Sequence, residues 1–447
     1  MEPLNVCLIN DSFPPAIDGV ANAVVNYGRV ITKNHGYATV VTPYYPDADD
    51  SVFPFPVVRY PSVDMTKLVG YRAGMPFDYD VFRRLETVDF DIIHSHCPIT
   101  STLLARALRE RIRVPVVFTY HTKFDVDIAN AVRGKLLREG AAKILAQNVA
   151  ACDEVWVVSR GAGDNLRKLG YEGPYTVMPN GVDFPVGRVE DDLIRRVTEG
   201  FDLPAGVPVF LFVGRMMWYK GIRIILDGLK RLADDGADFR MMFVGGGNDK
   251  EEIVACTHAL GLDGRVQFCE PIRDRDRIRA WYCRADLFLF PSTFDTNGLV
   301  VREAAACGLA SVLVAGSCAA EDVTDGESGF LIEENAASMA AMLRRLLAEP
   351  EAMKRVGEGA QREIYVSWEA AVAHAYEQYH AVVEKYRSGA CPKHDTFTDS
   401  LFQGLAGWMR VLDRGYEIRQ RMQEQMYADA QKSYDTFMSR MGEDRFL

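Results

Sequence analysis

Two carboxylates eight residues apart, with a glycine between them, make the segment of this chain best suited to chemistry. An apolar run ends in Pro291-Ser292, a short loop carries Asp295, Asn297 and Gly298, and Leu299-Val300-Val-Arg-Glu303 follows. A strand, a loop and a helix opening at Leu299 are the expected elements. A helix N-terminus offers unpaired N–H groups and positive potential, which suits phosphate. The carboxylates suit hydroxyls, as on sugars. A cationic motif stands upstream, Gly214-Arg215-Met-Met-Trp-Tyr-Lys220-Gly221. Arg215 supplies a planar fork and Lys220 a point charge, and both can converge on one anion. Gly19 ends the loop from Asp11 and lets a backbone approach a phosphate or sugar closely. Taken alone, that loop is more often a plain turn than a ligand site. His94 and His96 close one strand and His121 another. No carboxylate or cysteine completes a zinc set around the first two, so buried, hydrogen-bonded histidines are expected there and no metal.

These residues need rigid elements behind them. Apolar runs at Leu4–Asn10, Ala38–Thr42, Asp91–Ser95, Val114–Tyr120, Glu154–Ser159 and Thr176–Met178 form one series of candidate strands. Pro208–Gly214, Arg240–Gly245, Arg265–Phe268, Asp286–Phe290, Ser311–Ala315 and Gly329–Ile332 form a second. Nearly continuous apolar strands alternating with amphipathic helices mean parallel sheets covered on both faces. Two series predict two doubly wound α/β domains. Val20–Lys33 is the first clear helix and Trp368–Tyr386 the last of the core. After a linker, Leu401–Leu412 and Tyr416–Met441 repeat apolar residues at helical spacing.

A chain of 447 residues is too long for one ordinary core. Its net charge of −11 argues against a nucleic-acid binder. No run of about 18 apolar residues predicts a membrane span, and the N-terminus lacks the features of a signal peptide. Nine scattered cysteines, none in a C-x-x-C pair, fit free thiols in a reducing cytoplasm. Between Thr100 and Lys143 nine Lys/Arg face four acids (Arg106, Arg109, Arg111, Arg113, Lys123, Arg133, Lys135, Arg138 and Lys143 against Glu110, Asp125, Asp127 and Glu139). That excess suits either an anionic membrane surface or a pair of solvated helices.

The segment Pro291, Ser292, Asp295, Gly298, Leu299, Glu303, Ala304, Ala306, Gly308 resembles the carboxylate-x7-carboxylate signature of family 4 retaining glycosyltransferases. The resemblance covers about residues 1 to 388. It implies the GT-B fold, with two Rossmann-like domains facing a cleft, and here a C-terminal helical tail in addition. The domains expected are 1–186 for the acceptor, 187–366 for the nucleotide sugar, 367–388 crossing back to the first domain, and 389–447 as tail. The same resemblance gives Arg215 and Lys220 the donor diphosphate, and Glu303 the ribose hydroxyls. Gly298, Leu299 and Val300 would present N–H groups, and Asp295 would face the transferred sugar. His121 would hydrogen-bond that sugar near its reacting carbon. Gly19 would lie near the diphosphate, Gly245 of Val244-Gly-Gly-Gly247 near the nucleotide, and Ile272 beside the base.

Three departures stand out. Asp295 replaces the usual Glu, Asn297 replaces the usual Phe, and Ser317-Cys-Ala-Ala-Glu321 replaces G-G-x-P-E, with Glu321 retained. The variant spelling is most similar to a branch containing diacylglycerol glucosyltransferases. The expected activity is retaining transfer of a hexose from a UDP- or GDP-linked sugar to an acceptor hydroxyl, without a metal or other cofactor. A membrane glycolipid precursor such as diacylglycerol is one acceptor, implying peripheral contact with the inner face of the membrane. A soluble or polysaccharide acceptor, a nucleotide-sugar epimerase, a phosphorylase and a binding module with a degraded site are the alternatives. The tail, with eight Lys/Arg and nine Asp/Glu, is not polybasic and is expected to dock on the protein or pair two copies.

Overall fold

The computed structural model describes residues 2–16, 18–64, 72–125, 128, 134–391, 404 and 407. The first nine strands are β1 (Asn5–Ile9), β2 (Tyr37–Pro43), β3 (Val57–Tyr60), β4 (Ser62–Asp64), β5 (Arg72–Gly74), β6 (Ile92–Ser95), β7 (Val116–Tyr120), β8 (Glu154–Val157) and β9 (Thr176–Val177). The other six are β10 (Val209–Val213), β11 (Arg240–Val244), β12 (Val266–Cys269), β13 (Leu287–Phe290), β14 (Ser311–Val314) and β15 (Phe330–Ile332). They form a parallel sheet ordered β3-β2-β1-β6-β7-β8-β9 and another ordered β12-β11-β10-β13-β14-β15. All twelve expected strands are present. β3 and the antiparallel β4–β5 pair were not foreseen; Pro54, Pro56 and Pro61 around β3 read as loop.

Physical chemistry explains the layering. All five residues of β10, VFLFV, are buried, because helices cover both faces of the sheet. Stacked and tilted rings stiffen the second sheet: Phe212 lies 5.5 Å from Phe243 and 6.0 Å from Phe290, and Phe243 lies 5.4 Å from Phe268. Helix Gly19–Asn34 starts where Asp18 accepts from the amides of Val20 (2.8 Å) and Ala21 (2.7 Å). The final helix, Trp368–Arg387, packs against it and buries Trp368, Val372, Tyr376, Tyr379 and Val383 in the first domain's core. Each such burial contributes about 1.5–3 kcal/mol.

In each sheet the strand order reverses beside one strand, β1 in the first and β10 in the second. Ligands of open α/β sheets sit outside the carboxyl ends of strands at such reversals. Two passes of chain join the domains side by side, since Val182 N donates to Val366 O at 2.9 Å and Trp368 N to Val182 O at 3.3 Å. No helix among the described residues is long and apolar enough to cross a membrane. The helical patterns at 401–412 and 416–441, and the docking or pairing assigned to the tail, lie outside the described residues apart from Gly404 and Gly407.

Candidate active site

The loops after β10 and β13, the two strands at the second reversal, are clamped together. Gly221 takes φ 76°, and a Cβ there would run into the carbonyl of Pro291. That approach brings Lys220 onto Asp295, whose Oδ1 it binds. Asp295 Oδ2 accepts from Ser292 Oγ at 2.6 Å. The cationic loop is held from its other side by Met216 N donating to Gly246 O (2.7 Å) and by Trp218 N donating to Asp249 Oδ2 (2.8 Å). Arg215 is exposed, and no ion pair holds it among the described residues. Gly298, at φ 57°, opens helix Leu299–Ala306 without a side-chain cap. Among the described residues the amides of Leu299 and Val300 have no hydrogen-bond acceptor, so this helix end offers free donors. Asn297 Nδ2 and Ser317 Oγ are also buried without partners among the described residues. Both belong to stretches where the chain departs from the usual spelling.

Glu303 lies one turn into that helix and is buried. Its Oε1 accepts from Arg275 at 2.6 Å and its Oε2 from Tyr282 Oη at 2.9 Å. Burial raises its pKa, while Arg275 and Tyr282 oppose the rise. Arg275 also reaches Asp183 at 2.5 Å and lies over the Phe184 ring at 4.4 Å. Burial disfavours the charge on Arg275, but the two acids outweigh it and its pKa moves up. Arg275 and Tyr282 were not anticipated. Arg275 is one of three arginines in Arg273-Asp-Arg-Asp-Arg277, and nothing in that run singles it out.

Across the cleft, His121 follows β7. Its Nε2 is 3.0 Å from His96 Nδ1, and its Nδ1 is 3.5 Å from Asn180 Nδ2. Burial lowers His121 to about 3, so the imidazole is neutral. His94 is sealed between Tyr379 Oη (2.6 Å) and Thr119 Oγ1 (2.7 Å), the buried histidine expected there. His96 is buried too and stacks on His121 at 5.2 Å, so it acts as His121's support. Thr296 Oγ1 donates to the His121 carbonyl at 2.7 Å, and Lys123 Nζ to the Thr293 carbonyl at 3.0 Å. His121 is thereby fastened to the loop that carries Asp295.

Two family models match the chain. Residues 17–184 match the model of "Glycosyltransferase Family 4", and residues 196–363 match that of "Glycosyl transferases group 1". D-inositol 3-phosphate glycosyltransferase of Streptomyces bingchenggensis is 30% identical over 314 residues, 67% of this chain and 68% of the relative. The chain belongs to the family 4 glycosyltransferases. It moves a sugar from a nucleotide sugar to an acceptor. Alpha-monoglucosyldiacylglycerol synthase of Acholeplasma laidlawii is 23% identical over 344 residues, covering 74% of this chain and 85% of that one. Solved structures share the fold. Sucrose-phosphate synthase of Thermosynechococcus elongatus superimposes with a TM-score of 0.66 at 21% identity, covering 85% of this chain and 99% of that one. Anabaena HepE in complex with UDP gives 0.66 at 17%, covering 85% and 100%. The glycosyltransferase therefore has the GT-B architecture.

The remaining candidates of this glycosyltransferase sit at the strand ends. Gly19 is exposed at the first turn of its helix, with open space where a Cβ would stand. The Asp18 carboxylate already occupies that helix end, and buried Asp11 caps helix Thr100–Ile112 through the amides of Thr100 (3.0 Å) and Ser101 (2.6 Å). Gly245 packs against the carbonyl of Gly214, which accounts for it as a tight turn. Ile272 is partly buried against the second core. The basic stretch needs correction as a surface. Arg106 turns inward to Asn148 (2.9 Å), Arg109 to Asp153 (3.5 Å) and Arg111 to Glu86, because their helix packs on the first sheet. Arg113, Lys135, Arg138 and Lys143 are exposed, and Arg133 and Asp127 lie outside the described residues.

Proposed function

We propose that the enzyme is a retaining hexosyltransferase using a UDP- or GDP-linked sugar. The observation that carries this is the convergence of Lys220, Asp295 and the free amides of Leu299 and Val300 beyond β10 and β13, with the His121 loop after β7 fastened to them. In this reading Arg215 and Lys220 meet the charge on the departing diphosphate, so no metal is required. Leu299 and Val300 donate to the phosphates, and Glu303 accepts from the ribose. Asp295 and Asn297 contact the transferred sugar. Neutral His121 gives up its longer contact, the 3.5 Å one to Asn180, to hydrogen-bond the sugar near its reacting carbon, while the acceptor hydroxyl enters from the first domain. The bond to the diphosphate breaks and the acceptor oxygen bonds the same carbon on the same face, its proton passing to the departing diphosphate oxygen, so the anomeric configuration is kept. Positioning and charge stabilisation supply most of the rate.

The acceptor proposed is a membrane glycolipid precursor such as diacylglycerol. Helix Lys135–Ala150 supports it: Leu136, Leu137 and Ile144 are 84%, 67% and 69% exposed, beside exposed Lys135, Arg138 and Lys143. Aliphatic side chains interleaved with cations suit an anionic membrane surface. A soluble acceptor is the second reading, favoured by the 30% identity to an enzyme named for an inositol phosphate. Transfer assays decide. Purified enzyme is offered UDP- and GDP-linked hexoses with diacylglycerol in anionic vesicles, and separately with soluble polyols and their phosphates. Product in the vesicle arm alone supports the lipid reading, and product only from soluble acceptors refutes it. Nucleotide-sugar epimerisation without any acceptor would refute transfer altogether.

A further inference from the structure

Glu321 is the one residue retained in an otherwise rewritten motif, and it does not point at the donor loop. Its two oxygens cross the cleft. Arg160 N donates to Oε2 at 2.6 Å and Gly161 N to Oε1 at 2.5 Å, at the start of first-domain helix Arg160–Lys168. Those amides have no intrahelical acceptor, and a carboxylate there is favoured by the helix dipole as well. Close approach is built in on both sides. A Cβ on Gly161 would collide with Cys318 Sγ and stand 2.9 Å from Glu321 Oε1. A Cβ on Gly298 would stand 2.9 Å from Ala319 Cβ. The turn Cys318–Ala320 is therefore wedged between the donor loop of one domain and a helix end of the other. It is also tied to the donor helix. Arg302, beside Glu303 on that helix, donates to Asp322 Oδ2 at 2.7 Å and to the Ile364 carbonyl, next to the second interdomain pass, at 2.7 Å.

We infer that Glu321 is a positioning residue for glycosyl transfer, an interdomain latch that holds the cleft closed so that His121 faces the donor sugar. One helix carries both Glu303 and Arg302, so occupation of the donor site and engagement of the latch are mechanically joined. The latch touches no reacting atom. Its neighbour Cys318 stands where a larger side chain would press on Gly161 and hold the domains apart. The test uses the full chain with Glu321→Ala, Glu321→Gln and Gly161→Ala. Two charge-assisted bonds are lost in the first, so kcat for hydrolysis of the best-bound nucleotide sugar should fall about tenfold or more, with UDP or GDP affinity changed less than about threefold. Small-angle scattering with saturating nucleotide should give a larger radius of gyration than wild type. Glu321→Gln, which keeps one acceptor oxygen, should recover part of both. Gly161→Ala breaks the same contact from the other domain and should reproduce Glu321→Ala. Unchanged kcat and scattering in both Glu321→Ala and Gly161→Ala overturn the latch. A loss of nucleotide affinity with kcat intact overturns it too, by placing Glu321 in the donor site. The scattering result does not depend on the donor or acceptor proposed above.

Discussion

Lys220 cannot serve a diphosphate and Asp295 equally well, and that competition yields a sharp prediction. The pair is enclosed, with side chains 11% and 22% exposed, and Asp295 is fixed from behind by Ser292. A hydrogen bond between charged partners contributes about 1.5–3 kcal/mol net. A nucleoside diphosphate must draw Lys220 away from that bond, or share it, and so binds more weakly by part of this amount. Asp295→Asn keeps the size of the side chain and an acceptor oxygen but removes the charge. Regaining only the low end of the range, about 1.5 kcal/mol, tightens UDP or GDP binding about tenfold. Isothermal titration at low ionic strength measures it directly. UDP carries no sugar, so it reports the diphosphate alone; a nucleotide sugar should gain less, and its turnover should fall, if Asp295 serves the sugar as proposed. The double variant with Lys220→Ala should show no gain, since the coupling runs through the lysine. Unchanged or weaker UDP and GDP binding in Asp295→Asn, or an equal gain without Lys220, would refute the reasoning.

Other outcomes follow from the same contacts. Arg275→Ala strips the buried Glu303 of its charged partner and should weaken nucleotide binding about tenfold, with Arg275→Lys a poor rescue because it lacks the fork that spans Asp183 and Glu303; tighter binding would mean that Arg275 blocks the ribose instead. Burial puts His121 at about 3 and holds His94 and His96 well below their ordinary value, whereas the unfolded chain titrates near 6.5. The unfolded state then binds more protons below that pH, so stability must fall on acidification, by roughly 2 kcal/mol from His121 alone between about pH 6.5 and about pH 5. Urea unfolding across that interval checks it, and flat stability would contradict the buried, neutral assignment. Changing Leu136, Leu137 and Ile144 together to Ser removes aliphatic surface that faces solvent, so each change should alter folding by no more than about 0.5 kcal/mol. Sedimentation with anionic vesicles should nonetheless drop several-fold, and undiminished vesicle binding would remove this helix from the lipid reading.

Much of the architecture could be read from the chain. Parallel strands buried on both faces leave continuous apolar runs such as VFLFV at β10, and those runs are visible without coordinates. The short β3, set among prolines, left no such run, and its pairing with β2 is a long-range event. Arg215, Lys220, Asp295, Gly298 and Glu303 were expected together because a motif groups them along the chain, and the structure puts them on the loops after β10 and β13 and on the helix that follows β13. Partners were not legible. That Asp295 would turn to Lys220, that Glu303 would be held by Arg275 and Tyr282, and that His94 would be closed off by Tyr379 at the far end of the chain depend on which strand ends become neighbours. Arg106, Arg109 and Arg111 looked like surface charge until helix packing turned them inward. The sequence by itself determined the family, the two sheets and the chemical types at the cleft, because these are set by local patterning. Only the tertiary structure decided which charges pair and how Glu321 meets Arg160 across 161 positions of chain, because such contacts arise when two separately built sheets are brought face to face.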